Sequence, residues 1–274
     1  MALTTSNISS MRATFALGRT TRGLERTTAH ISSGLRITRA GDDAAGLAVA
    51  ENLSARAGSL RMARRSANDG ISITQTADGA SGEVNNILKR MRELAVQASS
   101  ETLDDTERGY INDEFVELST EIDRIAAGTE FNGTALTNGG TTQMSVQVGI
   151  DSAGTSRITM TLGDLRSTVL GVDTAALDLS TATGAQSAID AFDTALDTVN
   201  GYRGDYGAIQ NRLDSSIAYA ETYEANLTAA ESQIRDADFA YETAELAKQQ
   251  ILQAAGVSIL AQANSINAGI LDLL

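Results

Sequence analysis

Apolar residues recur every seven positions through most of this 274-residue chain. Near the N-terminus Leu3, Leu17, Leu24 and Ile31 share one phase, with Ser10 as the gap. Ile73, Ala80, Ile87 and Leu94 form a second series, and Ala77, Val84, Met91 and Ala98 fill the position four residues after each. Ile111, Phe115, Leu118, Ile122 and Ile125 alternate in the same way. The longest series is Phe192, Val199, Tyr206, Leu213, Ala220, Leu227 and Ile234. Leu252, Ile259, Ile266 and Leu273 close the chain, with Gly256, Ala263 and Ile270 between them. A seven-residue repeat keeps one helix face against a partner and favours left-handed supercoiling. The predicted fold class is mainly α, with long heptad-repeat helices in a coiled-coil-like bundle.

The middle breaks this pattern. From Phe131-Asn132-Gly133 to about Gly184 the chain is rich in Thr, Gly, Ser and Asn. Met144 to Val148 and Ile158 to Leu162 alternate apolar and polar residues, the period of a half-exposed strand. Gly149 to Ser156 reads as the turn between them, so a small β-hairpin region is expected. Two further breaks lie near the ends. Ser32-Ser33-Gly34 and Gly41-Asp42-Asp43 bracket one joint, and Arg235 to Asp238 forms the other. Gly weakens a helix there and Asp can cap the next one. The order is arm, joint, rod, hairpin, rod, joint, arm, which suggests that end pairs with end and middle with middle.

Composition narrows the function. The chain has no Pro and no Cys, and its single histidine is His30. Missing prolines permit long uninterrupted helices. Missing cysteines remove disulfides, thiol catalysis and Cys-based zinc sites. One histidine leaves little for His-dependent catalysis, so no enzyme activity and no cofactor are expected. The paired carboxylates Asp42 and Asp43 read as helix caps, because two adjacent acids fall short of a calcium or magnesium shell. No metal site is expected.

Charge is divided unevenly. Residues 1–100 hold 13 Lys and Arg against 8 Asp and Glu, whereas the whole chain carries a net charge of −14. A basic head on an acidic body favours contacts between the two, within one chain or between copies. The acidic total, with no aromatic residues interleaving the basic ones, argues against nucleic acid. No stretch is apolar enough to span a bilayer, so membrane insertion is not expected. Neither is a cleaved signal peptide, since no basic segment precedes an apolar one at the N-terminus.

The strings at the joints resemble bacterial flagellin. They are Ser32 to Ile37 (SSGLRI), Asp42 to Ala48 (DDAAGLA), Asn85 to Gln97 (NNILKRMRELAVQ) and Phe131 to Gly133 (FNG). Toward the C-terminus come Leu227 to Arg235 (LTAAESQIR), Gln249 to Gln253 (QQILQ), Leu260 to Asn264 (LAQAN) and Leu271 to Leu274 (LDLL). The likeness spans about residues 1–138 and 185–274; many flagellins insert large outer domains in the middle, and this chain has only the hairpin region. The resemblance implies the D0/D1 architecture: 1–40 an N-terminal D0 arm and joint, 41–184 the N-terminal D1 helices with the hairpin region, 185–235 the C-terminal D1 helix, and 236–274 the joint and C-terminal D0 helix. It also implies a structural subunit of the extracellular flagellar filament, many copies self-assembling for swimming motility after type III export. Implied partners are an export chaperone, the filament cap and hook-junction proteins.

Three residue sets follow from pattern and resemblance together. Leu3, Leu17, Leu24, Ile31, Leu252, Ile259, Ile266 and Leu273 are expected to carry assembly. Arg12, Arg19 and Arg26 form a stripe, either a solvated face or, inside a filament, a row of inter-subunit charge pairs. Toll-like receptor 5, which detects many flagellins, is expected to meet Arg90, Glu93, Leu94, Gln97 and Glu114, although the heptad also suits Leu94 to the core. A hook–filament junction protein would share the terminal pattern but diverge in the central strings. A coiled-coil scaffold would explain the heptads and not the joint motifs.

Overall fold

The computed structural model describes the backbone of residues 7–271 and the side chains up to Ser265. Its elements are α1 (Ile8–Ser33), α2 (Ala44–Ala98), α3 (Asp105–Gly128), β1 (Glu130–Phe131), β2 (Thr134–Ala135), β3 (Gln143–Gln147), β4 (Arg157–Thr161), α4 (Ser167–Leu170), α5 (Ala182–Arg235) and α6 (Phe239–Leu271). The mainly helical class with a small hairpin is what the periodicity predicted. The chain forms two compact units, one of residues 1–56 and 225–274, the other of residues 57–224.

In the unit of residues 57–224, the heptad positions form the core. Phe192, Val199, Tyr206 and Leu213 on α5 are fully buried. One cluster packs Val84, Leu88, Met91 and Leu94 of α2 against Ile111, Phe115 and Ile122 of α3 and against Phe192 and Val199 of α5. Phe115 and Phe192 meet edge to face with centroids 6.0 Å apart. A second cluster joins Ile73 and Ala77 of α2, Tyr206, Ile209 and Leu213 of α5, and the hairpin residues Val146, Ile158 and Met160. β3 and β4 pair antiparallel with Val146 opposite Ile158, so the apolar positions face the helices. On the outer face Ser145 and Thr159 share a hydrogen bond of 2.9 Å. Gly70 lets the hairpin approach α2: a Cβ there would lie 3.0 Å from Val146 Cγ2 and 3.3 Å from Leu213 Cδ1.

Local chemistry sets the element ends. Asp104 and Glu107 form a reciprocal capping box at the start of α3. Arg108, buried, donates to the carbonyls of Ala98 (3.0 Å) and Ser100 (2.9 Å), which satisfies the C-terminus of α2. Phe131-Asn132-Gly133 begins the irregular region as expected and adds a feature that the pattern did not show. Asn132 (φ 50°) and Gly133 (φ 75°) both adopt left-handed backbone, which closes the tight β1–β2 hairpin. Asp78 pairs with Arg203 at 2.9 Å and Asn85 donates to Asn200 at 2.9 Å, tying α2 to α5 at one level. Five glycines sit near that level, Gly79 and Gly82 on α2 with Gly201, Gly204 and Gly207 on α5. None has a neighbouring atom within 4 Å of where a Cβ would be.

In the other unit α1 lies along α6, and the two joints meet. Leu35 and Asp236 form an antiparallel bridge, flanked by Arg36 N–H to Arg235 O (2.7 Å) and Ala237 N–H to Gly34 O (3.0 Å). The expected breaks are therefore partners in one clasp. Asp43 caps α2 by accepting from Gly46 N–H at 2.8 Å, and Asp238 caps α6 by accepting from Ala240 N–H at 2.9 Å.

Candidate assembly surfaces

The α1–α6 pair has an inner seam and an outer face, and the heptads divide between them. On α1, Leu17, Leu24 and Ile31 are half-buried alongside buried Ala13, Thr27 and His30. On α6, the seam is Glu242, Leu246, Gln249, Gln253, Gly256, Leu260 and Ala263, at alternating spacings of four and three. Small residues bring the backbones close. A Cβ on Gly256 would stand 3.4 Å from Leu17 Cδ1, and one on Gly23 would stand 3.0 Å from the Gln249 side chain. Asn7 caps α1 through Ser10 N–H and also donates to Ala263 O at 2.9 Å, fastening the far end of the pair.

Leu252 and Ile259 belong to the other face. They are 46% and 61% exposed, and Ile251 and Val257 beside them are exposed as well. On α1, Ile8, Met11 and Phe15 are exposed too, with Phe15 at 70%. Thus Leu17, Leu24 and Ile31 join the two helices of one chain, whereas Leu252 and Ile259 present apolar surface outward. Leu3 and Leu273 lie outside the described residues, as does the side chain of Ile266. The heptad count missed Met11, Phe15, Ile251 and Val257 because they fall out of phase with the series. For Ile251 and Val257 the signal was the near absence of charge after Gln249, where Asp272 is the single charged residue. Arg12, Arg19 and Arg26 are all exposed, and none has an ion pair among the described residues.

The face expected to meet a receptor splits as well. Arg90 pairs with Glu114 at 2.8 Å and with Glu93 at 3.4 Å, and Gln97 is exposed beside them. The hydrogen bond from Arg90 to Glu114, helped by its charge, holds the guanidinium more firmly protonated than usual. Leu94 departs from the expectation. It is 1% exposed within the α2–α3–α5 core, because the position four residues after Arg90 faces inward here. The available surface is Arg90, Glu93, Gln97 and Glu114.

Sequence reasoning also missed what surrounds His30. The ring is buried, with Nδ1 3.0 Å from Glu242 Oε1 and Nε2 4.0 Å from Asp42 Oδ2. Asp42 in turn accepts from Thr38 N–H, the Thr38 hydroxyl and Arg39 N–H. Burial by itself would raise this carboxyl, but the Thr38 and Arg39 donors outweigh it and hold Asp42 below the ordinary aspartate range. Glu242 lies 212 positions from His30, beyond the reach of any local pattern. Among the described residues no group of acids and histidine is arranged to hold a metal, and no helix is long and apolar enough to cross a membrane.

Residues 5–142 match the model of the bacterial flagellin N-terminal helical region, and residues 189–274 that of the C-terminal helical region. The chain belongs to the bacterial flagellin family. It is a family of structural proteins, and the chain is not an enzyme. A flagellin of Halalkalibacterium halodurans is 43% identical over 244 residues, covering 89% of each chain. A flagellar filament 33 kDa core protein of Treponema phagedenis is 37% identical over 280 residues, covering 98% of each. The crystal structure of Bacillus cereus flagellin superposes with a TM-score of 0.50 at 34% identity, covering 57% of this chain and 88% of that one. The two family matches leave out residues 143–188, the stretch that holds the β3–β4 hairpin and the segment leading into α5.

Proposed function

We propose that this flagellin-family chain is the repeating subunit of an extracellular flagellar filament and assembles through the outer face of its α1–α6 pair. The observation that carries the reading is the exposed row of Leu252, Ile259 and their neighbours, next to an arginine stripe that has no ion pair among the described residues. Exposed aliphatic side chains each gain about 1.5–3 kcal/mol on full burial, and a filament supplies that burial with further copies of the same chain. The acidic body supplies carboxylates for Arg12, Arg19 and Arg26. Motility as the purpose, type III export, and an export chaperone, a cap and hook-junction proteins as partners are part of the same proposal, and family membership supports them.

The test is a paired substitution, Leu252→Asp with Ile259→Asp. Both positions are exposed, so the melting temperature of the monomer stays close to that of the wild type. Electron microscopy of the concentrated variant is expected to find no filaments. Filaments of normal length would remove the outer face from the assembly surface. Truncation after Leu252 gives the same expectation, because it deletes Ile259 and the rest of α6.

A second surface supports binding of released monomer to Toll-like receptor 5. Arg90, Glu93, Gln97 and Glu114 form an exposed charged patch on α2 and α3, with an arginine of the kind enriched in interface hot spots. Binding by the purified wild type and loss of it in Arg90→Ala, with an unchanged melting curve, is the expected result. Absence of wild-type binding, or equal binding by a folded variant, rejects it.

A further inference from the structure

We propose that His30 is a proton-operated lock that fastens α1 to α6 and to the joint loop between α1 and α2. The ring sits in the last turn of α1, where the partial negative charge of the helix end favours a cation. It is buried between two carboxylates held by other elements, Glu242 in the first turn of α6 and Asp42 in the joint. Neutral imidazole has one N–H, and the 3.0 Å contact from Nδ1 to Glu242 uses it. Nε2 is then a buried lone pair with no hydrogen-bond partner, aimed at an Asp42 oxygen 4.0 Å away. A lone pair facing a carboxylate is repelled. A proton at that nitrogen converts the same approach into an N–H donor facing an anionic acceptor, needing a movement of only about 1 Å to reach hydrogen-bond distance. The two carboxylates match the two N–H groups of imidazolium and only half match imidazole.

Other charges near the ring do not replace this pairing. Arg39, in the joint, stands 3.9 Å from the second oxygen of Asp42 and is largely exposed. Arg22, Glu25 and Arg26 on α1 line the cleft beside Asp42, and all three are exposed. Solvent and salt screen such groups far more than they screen buried ones. The three donors from Thr38 and Arg39 favour the anionic form of Asp42, so the carboxylate is ready to accept from a protonated ring.

The consequence is a pH-dependent joint. With His30 protonated, α1, α6 and the loop share one bonded cluster. When the proton leaves, the link to Asp42 becomes a repulsion, while the backbone clasp of Leu35 with Asp236 still holds the two joints together. The loop carrying Thr38 and Arg39 is therefore the part that loosens. The full bonded cluster is present when both ring nitrogens carry a proton and is lost when Nε2 does not.

Because His30 is the only histidine, isotope-labelled histidine in the full chain gives one set of imidazole signals. Nitrogen NMR over a pH series follows both ring nitrogens and reports directly which of them carries a proton. In the same samples, amide hydrogen exchange at Thr38 and Arg39 is corrected for the intrinsic effect of pH. Protection at both amides is expected to fall about tenfold as the ring loses its proton, the effect of one charge-assisted hydrogen bond. The step is expected to vanish in His30→Gln. Protection that stays constant through the ring titration of the wild type overturns the proposal without reference to any variant. An equal step in His30→Gln overturns it as well.

Discussion

The hydroxyl of Tyr206 is fully buried and accepts the backbone N–H of Gly163 at 2.9 Å. Burial pushes its titration above the ordinary tyrosine range. Tyr206→Phe keeps the ring in its cluster and strands the Gly163 donor, so unfolding free energy is expected to fall by about 1–3 kcal/mol. A urea midpoint equal to that of the wild type would mean that water or another group takes over the bond. Asp42 gives the acid counterpart at the joint. Its carboxyl is depressed, so the stability it contributes is complete above its unfolded value of about 3.9 and is lost as pH falls through the lower folded one. Protection at the Thr38 and Arg39 amides is therefore expected to collapse below about pH 4 and to show a flatter acid limb in Asp42→Asn. The sequence made Asp42 and Asp43 legible as capping residues, and Asp43 does cap α2. It could not reveal the His30–Glu242 contact, because polar pairing across 212 positions leaves no periodic trace, nor the carbonyl-bound Arg108, because that pairing depends on how the α2–α3 turn folds back.

At the scale of elements, the same residue type behaves in opposite ways. Leu213 on α5 is fully buried against the hairpin and Gly70, and Leu213→Ala is expected to cost about 2–5 kcal/mol in a melting experiment. Leu252→Ala on α6 is expected to change monomer stability by less than about 0.5 kcal/mol. Both leucines lie in heptad series, and periodicity predicted both helices. What periodicity does not encode is the element that covers each face. In α6 the seam toward α1 mixes Leu246 and Leu260 with Gln249, Gln253, Gly256 and Ala263, and the small residues and amides let two backbones approach. A second aliphatic phase, with Leu252 and Ile259, is left to face outward. The β3–β4 hairpin was legible from strict alternation, whereas the two-residue strands β1 and β2 are too short to carry a pattern.

For the whole molecule, charge is the property that the sequence displays most directly and the fold reorganises least. A net charge of −14 accompanies an arginine stripe on α1 that has no ion pair among the described residues. Reversing it with Arg12→Glu, Arg19→Glu and Arg26→Glu is expected to slow filament elongation at low ionic strength. At about 1 M salt, where the screening length is about 3 Å, the difference from wild type shrinks. Equal elongation rates at low salt would return the stripe to the status of a solvated face.

The open glycines at the level of the Asp78–Arg203 pair have a mechanical consequence. No contact requires their small size, yet each destabilises its helix by about 1 kcal/mol relative to alanine. Two long helices thus have glycine-rich outer faces side by side, tied by one ion pair and one amide hydrogen bond over a core of Ala77, Val84, Val199 and Tyr206. When the pair is flexed, curvature is expected to collect in that short span, where glycine lowers helix stability. Stiffness along these helices is graded rather than uniform, and the place where they yield is written in five missing methyl groups.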